Sequence, residues 1–99
     1  MNYRNFEDAF DLWTPNYIQY NDENVTLKSY NPNKDVTIGL ASILFNSGDL
    51  DIVIDLDNLN KIKTHETILT FTNNKCWMDL DFEDEESMNG FLDVYNNGL

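Results

Sequence analysis

The stretch GDLDIVIDLDN, residues 48–58, alternates acid and apolar residues and sets Asp49, Asp51, Asp55 and Asp57 on odd positions. On a strand, alternate residues share a face and stand roughly 6.6–6.8 Å apart. Carboxylates at that interval approach the spacing of successive phosphates along a nucleic-acid strand, so such a row could occupy a groove built for phosphate. KCWMDLDFED, residues 75–84, repeats the pattern, with Cys76, Met78, Leu80 and Phe82 on one side and Trp77, Asp79, Asp81 and Glu83 on the other. If both segments lie in one sheet, the acids merge into a single patch with Trp77 among them. Charge would then steer a cationic partner, and the indole would supply apolar contact energy. The competing reading is the wet face of an antiparallel sheet, where polar residues belong.

Composition favours the patch. The chain carries 18 Asp and Glu against six Lys and Arg, a net charge of −12. No basic residue lies between Lys34 and Lys61, and none follows Lys75. Solubility asks for a net charge of only about 2–8 in a small domain, and the excess costs stability through self-repulsion. The same charge excludes simple electrostatic binding to DNA, RNA or an anionic membrane. The expected partner is a basic protein, a nucleic-acid-binding enzyme or complex.

Other chemistries find less support. DLDIVIDLDNLN has the acids of a calcium loop but neither its glycine at position six nor its glutamate at position twelve. One Cys and one His cannot build a zinc set. His65 and Cys76 are the residue types of a base and a nucleophile, yet Cys76 falls on the apolar side of its strand, and no G-x-S-x-G elbow occurs. No catalytic residue, metal or cofactor is expected, and the chain is read as a binding protein, not an enzyme.

The elements that must hold these residues follow from periodicity. NFEDAFDLW, residues 5–13, spaces Phe6, Ala9, Phe10 and Trp13 as an amphipathic helix, with Asn5 as cap and Thr14-Pro15 as stop. YIQY and VTLKSY read as strands, and NPNKD as a polar turn. VTIGLASILF, residues 36–45, reads as a strand with Val36, Ile38 and Leu40 on one face and a bend at Gly39 or Ala41-Ser42. LDIVIDL buries Leu50, Ile52, Ile54 and Leu56. NKIKTHETILTFTNN gives one or two strands, with its closing Asn73-Asn74 pair as a hairpin turn. Asp84, Glu85 and Glu86 suit a helix first turn, followed by the stripe Met88, Phe91, Leu92 and Tyr95. Gly90 inside that helix costs roughly 1 kcal/mol against alanine.

Ninety-nine residues with 41% apolar content make one domain, residues 1–99, with one core. The expected fold class is α+β: an antiparallel meander of about five to six strands, a short N-terminal helix, and a C-terminal amphipathic helix packed on the sheet. The start, MNYRNFEDAF, has no apolar h-region, and VTIGLASILF is too short to span a membrane. A lone cysteine excludes an internal disulfide and fits a reducing cytoplasm.

Residues 50–97 resemble the second half of a PH-like (GRAM-type) domain, through DLDNLNKIKTH, ILTFTNN, KCWMDLDFED and the closing EESMNGFLDVYNN. That family is non-catalytic and binds lipid headgroups, peptides or proteins. Only Lys61, Lys63 and His65 stand where its lipid-binding members carry basic loops, so the resemblance implies protein binding. In size and charge the chain is also similar to phage-encoded inhibitors of host defence, some of them DNA mimics, and to acidic immunity proteins. The expected function is therefore a non-enzymatic inhibitor in the cytoplasm of a bacterial host. It would occlude the nucleic-acid-binding surface of a nuclease or a CRISPR or restriction effector. The alternative is a PH-like adaptor or immunity-type protein that binds its partner without mimicry. Either could act as a monomer or a homodimer, since an edge strand can pair with itself.

Overall fold

A computed structural model describes residues 3–39, 42–47 and 50–99, with the side chains of Tyr3, Arg4, Ser47, Leu50 and Asp51 outside the described part. The chain opens with helix α1 (Tyr3–Leu12), whose Phe6, Ala9 and Phe10 recur at helical spacing and are buried. The helix begins two residues before the Asn5 cap expected from sequence. Asn5 instead lies inside it and donates from Nδ2 to the Tyr95 carbonyl at 3.1 Å. At the other end the Trp13 N–H reaches the Ala9 carbonyl and Thr14 Oγ1 donates to the Phe10 carbonyl. Pro15 follows, with no N–H to continue the ladder.

Eight strands come next: β1 (Tyr17–Asn21), β2 (Thr26–Ser29), β3 (Val36–Ile38), β4 (Ser42–Ser47), β5 (Leu50–Asp55), β6 (Lys61–His65), β7 (Ile68–Thr72) and β8 (Trp77–Asp81). Helix α2 (Pro32–Asp35) is a single turn where a polar turn was expected, and helix α3 (Glu85–Asn97) closes the chain. The α+β architecture and both flanking helices agree with the sequence reading. The strands, however, form two antiparallel sheets instead of one meander of five to six: a five-stranded sheet in the order β2-β1-β8-β7-β6 and a three-stranded sheet in the order β3-β4-β5. The physical cause is twofold. VTIGLASILF folds into a hairpin, with the Gly39 N–H bonded to the Ser42 carbonyl at 2.8 Å; the Leu40 and Ala41 placed on that strand lie outside the described residues. And β8 returns to pair with β1, so residues 32–60 leave the first sheet and pair among themselves.

Alternation decides which face is wet. Ile18 and Tyr20, Leu69 and Phe71, and Met78 and Leu80 point inward from the five-stranded sheet and are buried. Phe6 of α1 meets Phe71 and Phe91 edge-on, with ring centroids 5.4 and 5.5 Å apart, and Tyr95 meets Phe71 at 5.4 Å. The two helices thus cap that sheet with an aromatic cluster, whose edge-to-face contacts add to plain area burial. Val36, Ile43, Phe45 and Ile54 of the small sheet join the same core. In α3 the buried stripe is Met88, Phe91, Val94 and Tyr95, with Leu92 at its margin. Asp84 caps that helix by accepting the Ser87 N–H at 2.8 Å, and Gly98, at φ +79°, ends it.

Candidate functional site

The expected carboxylate row is broken by this topology. Asp49 lies outside the described residues, and of Asp51 only the backbone is described. Asp55 ends β5, and Asp57 is not on the strand: it belongs to a 3₁₀ turn, Leu56–Asn58, whose N-cap is Asp55, accepting the Asp57 N–H at 3.0 Å. Leu56 and Leu59, three residues apart, are both fully buried. That spacing draws the chain into a 3₁₀ turn and turns Asp57 off the row.

The second acidic segment is in the other sheet. Trp77, Asp79 and Asp81 stand on β8 in the middle of the five-stranded sheet, not beside β5, so the two groups do not merge into one sheet face. Cross-strand register sets their neighbours. Asp79 lies between Gln19 and Thr70, with Lys28 and Lys63 one strand further out; Asp81 lies between Tyr17 and Ile68, with His65 beyond. Thr70 Oγ1 donates to Asp79 at 2.6 Å and Thr67 Oγ1 to Asp81 at 3.0 Å. Trp77, 45% exposed, has the neutral Asn21 and Thr72 as cross-strand partners. Tyr30 stacks obliquely on Tyr17 at 4.9 Å on the same face. Glu83 is exposed beyond the strand end.

This face therefore carries Lys28, Lys61 and Lys63 against Asp79 and Asp81. Sixteen of the eighteen acids and three of the six bases belong to the rest of the chain. Among the described residues the single ion pair within 4 Å is His65 with Glu66, at 3.9 Å, and both side chains are exposed. The described carboxylates are solvated or bonded to N–H and O–H groups, not matched by lysine.

Where the two sheets meet, a cleft of about 500 Å³ opens between β5, the β1–β2 turn and the β7–β8 turn. Sequence reasoning missed it, because it joins Asp22 and Glu23 to Asp55 across thirty residues of chain. Each wall is stiffened by an Asx-type turn. Asp22 accepts the Asn24 and Val25 N–H groups at 2.7 and 2.9 Å, and Tyr20 donates to its other oxygen at 3.0 Å. Asn73 Oδ1 likewise accepts the Lys75 and Cys76 N–H groups, while its Nδ2 donates to the Asn58 carbonyl and ties the 3₁₀ turn to the β7–β8 turn. The bond from the Asn24 N–H, with that from Val25 and Tyr20, holds the Asp22 carboxyl below its ordinary range. Burial, with Asp22 and the Cys76 thiol beside it, pushes the Tyr20 hydroxyl up.

Cys76 is buried at the cleft, its Sγ 3.3 Å from Asn73 Oδ1. His65 lies at the far end of the edge strand β6, in register with Ile68 and Asp81. The fold thus holds these two apart. Among the described residues no group of three or more His, Cys, Asp or Glu is arranged to hold a metal ion, and no helix is long and apolar enough to cross a membrane. In comparisons with known proteins, no family model, no curated protein and no solved structure matches this chain.

Proposed function

We propose that this chain is a non-enzymatic, acidic protein-binding protein of the bacterial cytoplasm, which docks on a positively charged surface that its partner uses for nucleic acid and so blocks it. The observation that carries this reading is the unmatched charge: −12 over 99 residues, with one His–Glu pair as the sole ion pair among the described residues. Internal salt bridges would neutralise acids at home. Here they are left to meet a cation from outside.

The contact surface differs from a single strand row. Asp55 and Asp57 project at the end of the small sheet, and Asp22 and Glu23 stand across the cleft from Asp55. Asp51 shares the alternation of Asp55, and Asp49 precedes it in sequence. The Trp77–Asp79–Asp81 face, with lysines on both sides, suits a second and less charged contact. The adaptor reading, binding without mimicry, draws on a different feature, the outer edge of β5, which no described strand pairs.

Affinity capture from the native cytoplasm separates the two readings. A mimic should capture a nucleic-acid-binding protein that elutes at about 0.5 M salt, where the Debye length shrinks to about 4 Å. The purified pair should be dissociated by duplex DNA, and the protein should abolish the partner's DNA or RNA binding at equimolar ratio. Capture that survives 0.5 M salt and ignores competing DNA sinks the mimicry and leaves the adaptor.

A further inference from the structure

Among the described residues, the small sheet ends in an open strand. β5 pairs with β4 on one side, and on the other side it borders the cleft, with Ile52, Val53, Ile54 and Asp55 all on the wall. An unpaired strand edge presents a row of backbone N–H and C=O groups, a template for another strand. Proteins usually blunt such an edge with lysine, proline or a covering element. β6, the exposed edge of the five-stranded sheet, is blunted in this way by Lys61 and Lys63. β5 carries neither lysine nor proline: its sequence is LDIVID, its two charges are acidic and so repel another acidic edge but not a basic one, and Val53 is 62% exposed.

From this geometry we infer that β5 is a docking edge for an extended segment of a protein partner, one that alternates basic and apolar residues and adds to the small sheet as a fourth strand. Three observations fix the occupant's chemistry. The edge supplies main-chain pairing, which demands extended backbone. Ile52 and Val53 supply apolar contact. Asp22 and Glu23 on one wall and Asp55 on the other outnumber the single cation, Lys75, so the side chains that reach the rim must be positive. A second copy paired β5 against β5 fails this last requirement, because it would bring its own acids against these. One that offered its β6 edge, Lys61-Ile62-Lys63, would show as a concentration-dependent dimer of the free protein, and that result overturns the proposal of a separate partner. The walls are already set by the Asp22 and Asn73 turns, so less ordering entropy opposes binding.

This inference rests on the acidic-binder reading and supplies its contact point. The test uses the intact protein and the blocked peptide acetyl-Val-Lys-Val-Lys-Val-Lys-amide, followed by amide chemical shifts and hydrogen exchange. The peptide should shift Ile52–Asp55, Glu23 and Lys75, and every second amide of β5 should exchange more slowly, as in a newly formed ladder. A version N-methylated on alternate residues, made in both registers, should lose about tenfold in affinity in at least one register, the equivalent of one or two net hydrogen bonds. The Val-Glu version should not bind. Glu23→Lys, which removes no described hydrogen bond, should weaken the Val-Lys peptide about tenfold without lowering the urea midpoint below that of wild type.

Spermidine is the control for a simple organic-cation site. If it produces the same shifts and N-methylation of the peptide costs nothing in either register, the cleft takes cations and β5 is not a docking strand. Shifts confined to Lys28, Lys63 and Trp77, or none at all, overturn the inference as well. A salt-sensitive, DNA-competed partner captured equally by wild type and Glu23→Lys would do so too, while leaving the proposed function standing.

Discussion

Gly90 of α3 lies directly under the indole of Trp13: a Cβ built at position 90 would stand 2.3 Å from Trp13 Cε2 and 2.6 Å from Cζ2. The ring fills the space that any side chain there would need. Trp13 sits just past the end of α1 and is partly buried against the core. Gly90→Ala would gain about 1 kcal/mol of helix propensity and lose about 1–3 kcal/mol to overpacking. The expected outcome is a net loss on the order of 1 kcal/mol, seen as a melting temperature lower by about 4–8 °C. In a Trp13→Ala background the clash is gone, and the same Gly90→Ala change should raise the melting temperature. Stabilisation in both backgrounds would show that the helices do not meet at this point.

That pair marks where sequence is readable and where it is not. Period-two alternation identified the inner side of β8, and Cys76, Met78, Leu80 and Phe82 are all buried, because a strand's side chains have no other way to divide. The same rule said nothing about partners. LDIVID and WMDLD carry equivalent patterns, yet one lies beside β4 and the other between β1 and β7. Pairing is decided by contacts between residues more than sixty positions apart, such as Ile18 with Leu80, which a local pattern does not encode. The Asp57 placement failed for a local reason that was visible: Leu56 and Leu59 change the apolar spacing from two to three. Gly90 reads as a helix defect until Trp13 is seen over it.

Glu66 is the one described non-glycine residue with positive φ, at 55°, and it turns the β6–β7 hairpin. The left-handed region costs an L-residue with a Cβ roughly 1 kcal/mol or more, and Asn tolerates it better. Glu66→Asn also removes one of the eighteen acids. Its expected effect is a rise of a few degrees in melting temperature. An unchanged or lowered value would mean that the Glu66 side chain contributes more than the backbone strain costs, the exposed His65 contact being the available candidate.

Asp84 gives a pH dependence with a definite sign. The Ser87 backbone N–H, and then its hydroxyl, hold the Asp84 carboxyl below the ordinary value of 3.8. A group whose pKa is lower in the folded state stabilises the fold fully above its unfolded value, and the contribution disappears as pH falls through the folded one. Asp84→Ala should therefore be less stable than wild type at pH 7, the two urea midpoints should differ by a constant amount down to about pH 5, and they should converge below about pH 4. Asp84→Asn keeps an oxygen acceptor for the Ser87 N–H and should fall between them at neutral pH. A gap that persists unchanged at pH 3 would remove the carboxylate as the source.

The unmatched charge that carries the functional reading also predicts how the free protein responds to salt. With a net charge of −12 and, among the described residues, a single exposed ion pair, acids repel acids more than bases attract them. Screening such a molecule stabilises it, whereas screening one held by salt bridges weakens it. Raising sodium chloride from about 10 mM to about 0.5 M shortens the Debye length from about 30 Å to about 4 Å. The midpoint of urea unfolding should climb over that range and level off once the screening length falls below the distance between neighbouring carboxylates. Urea is the suitable denaturant, because guanidinium is itself a screening salt. Replacing Asp57 by Asn, which leaves the backbone N–H that caps against Asp55 in place, should give part of the same gain at low salt and almost none at high salt. A midpoint that falls as salt is added would mean that the carboxylates are matched within the fold, and a basic partner would then find no unmet charge to bind.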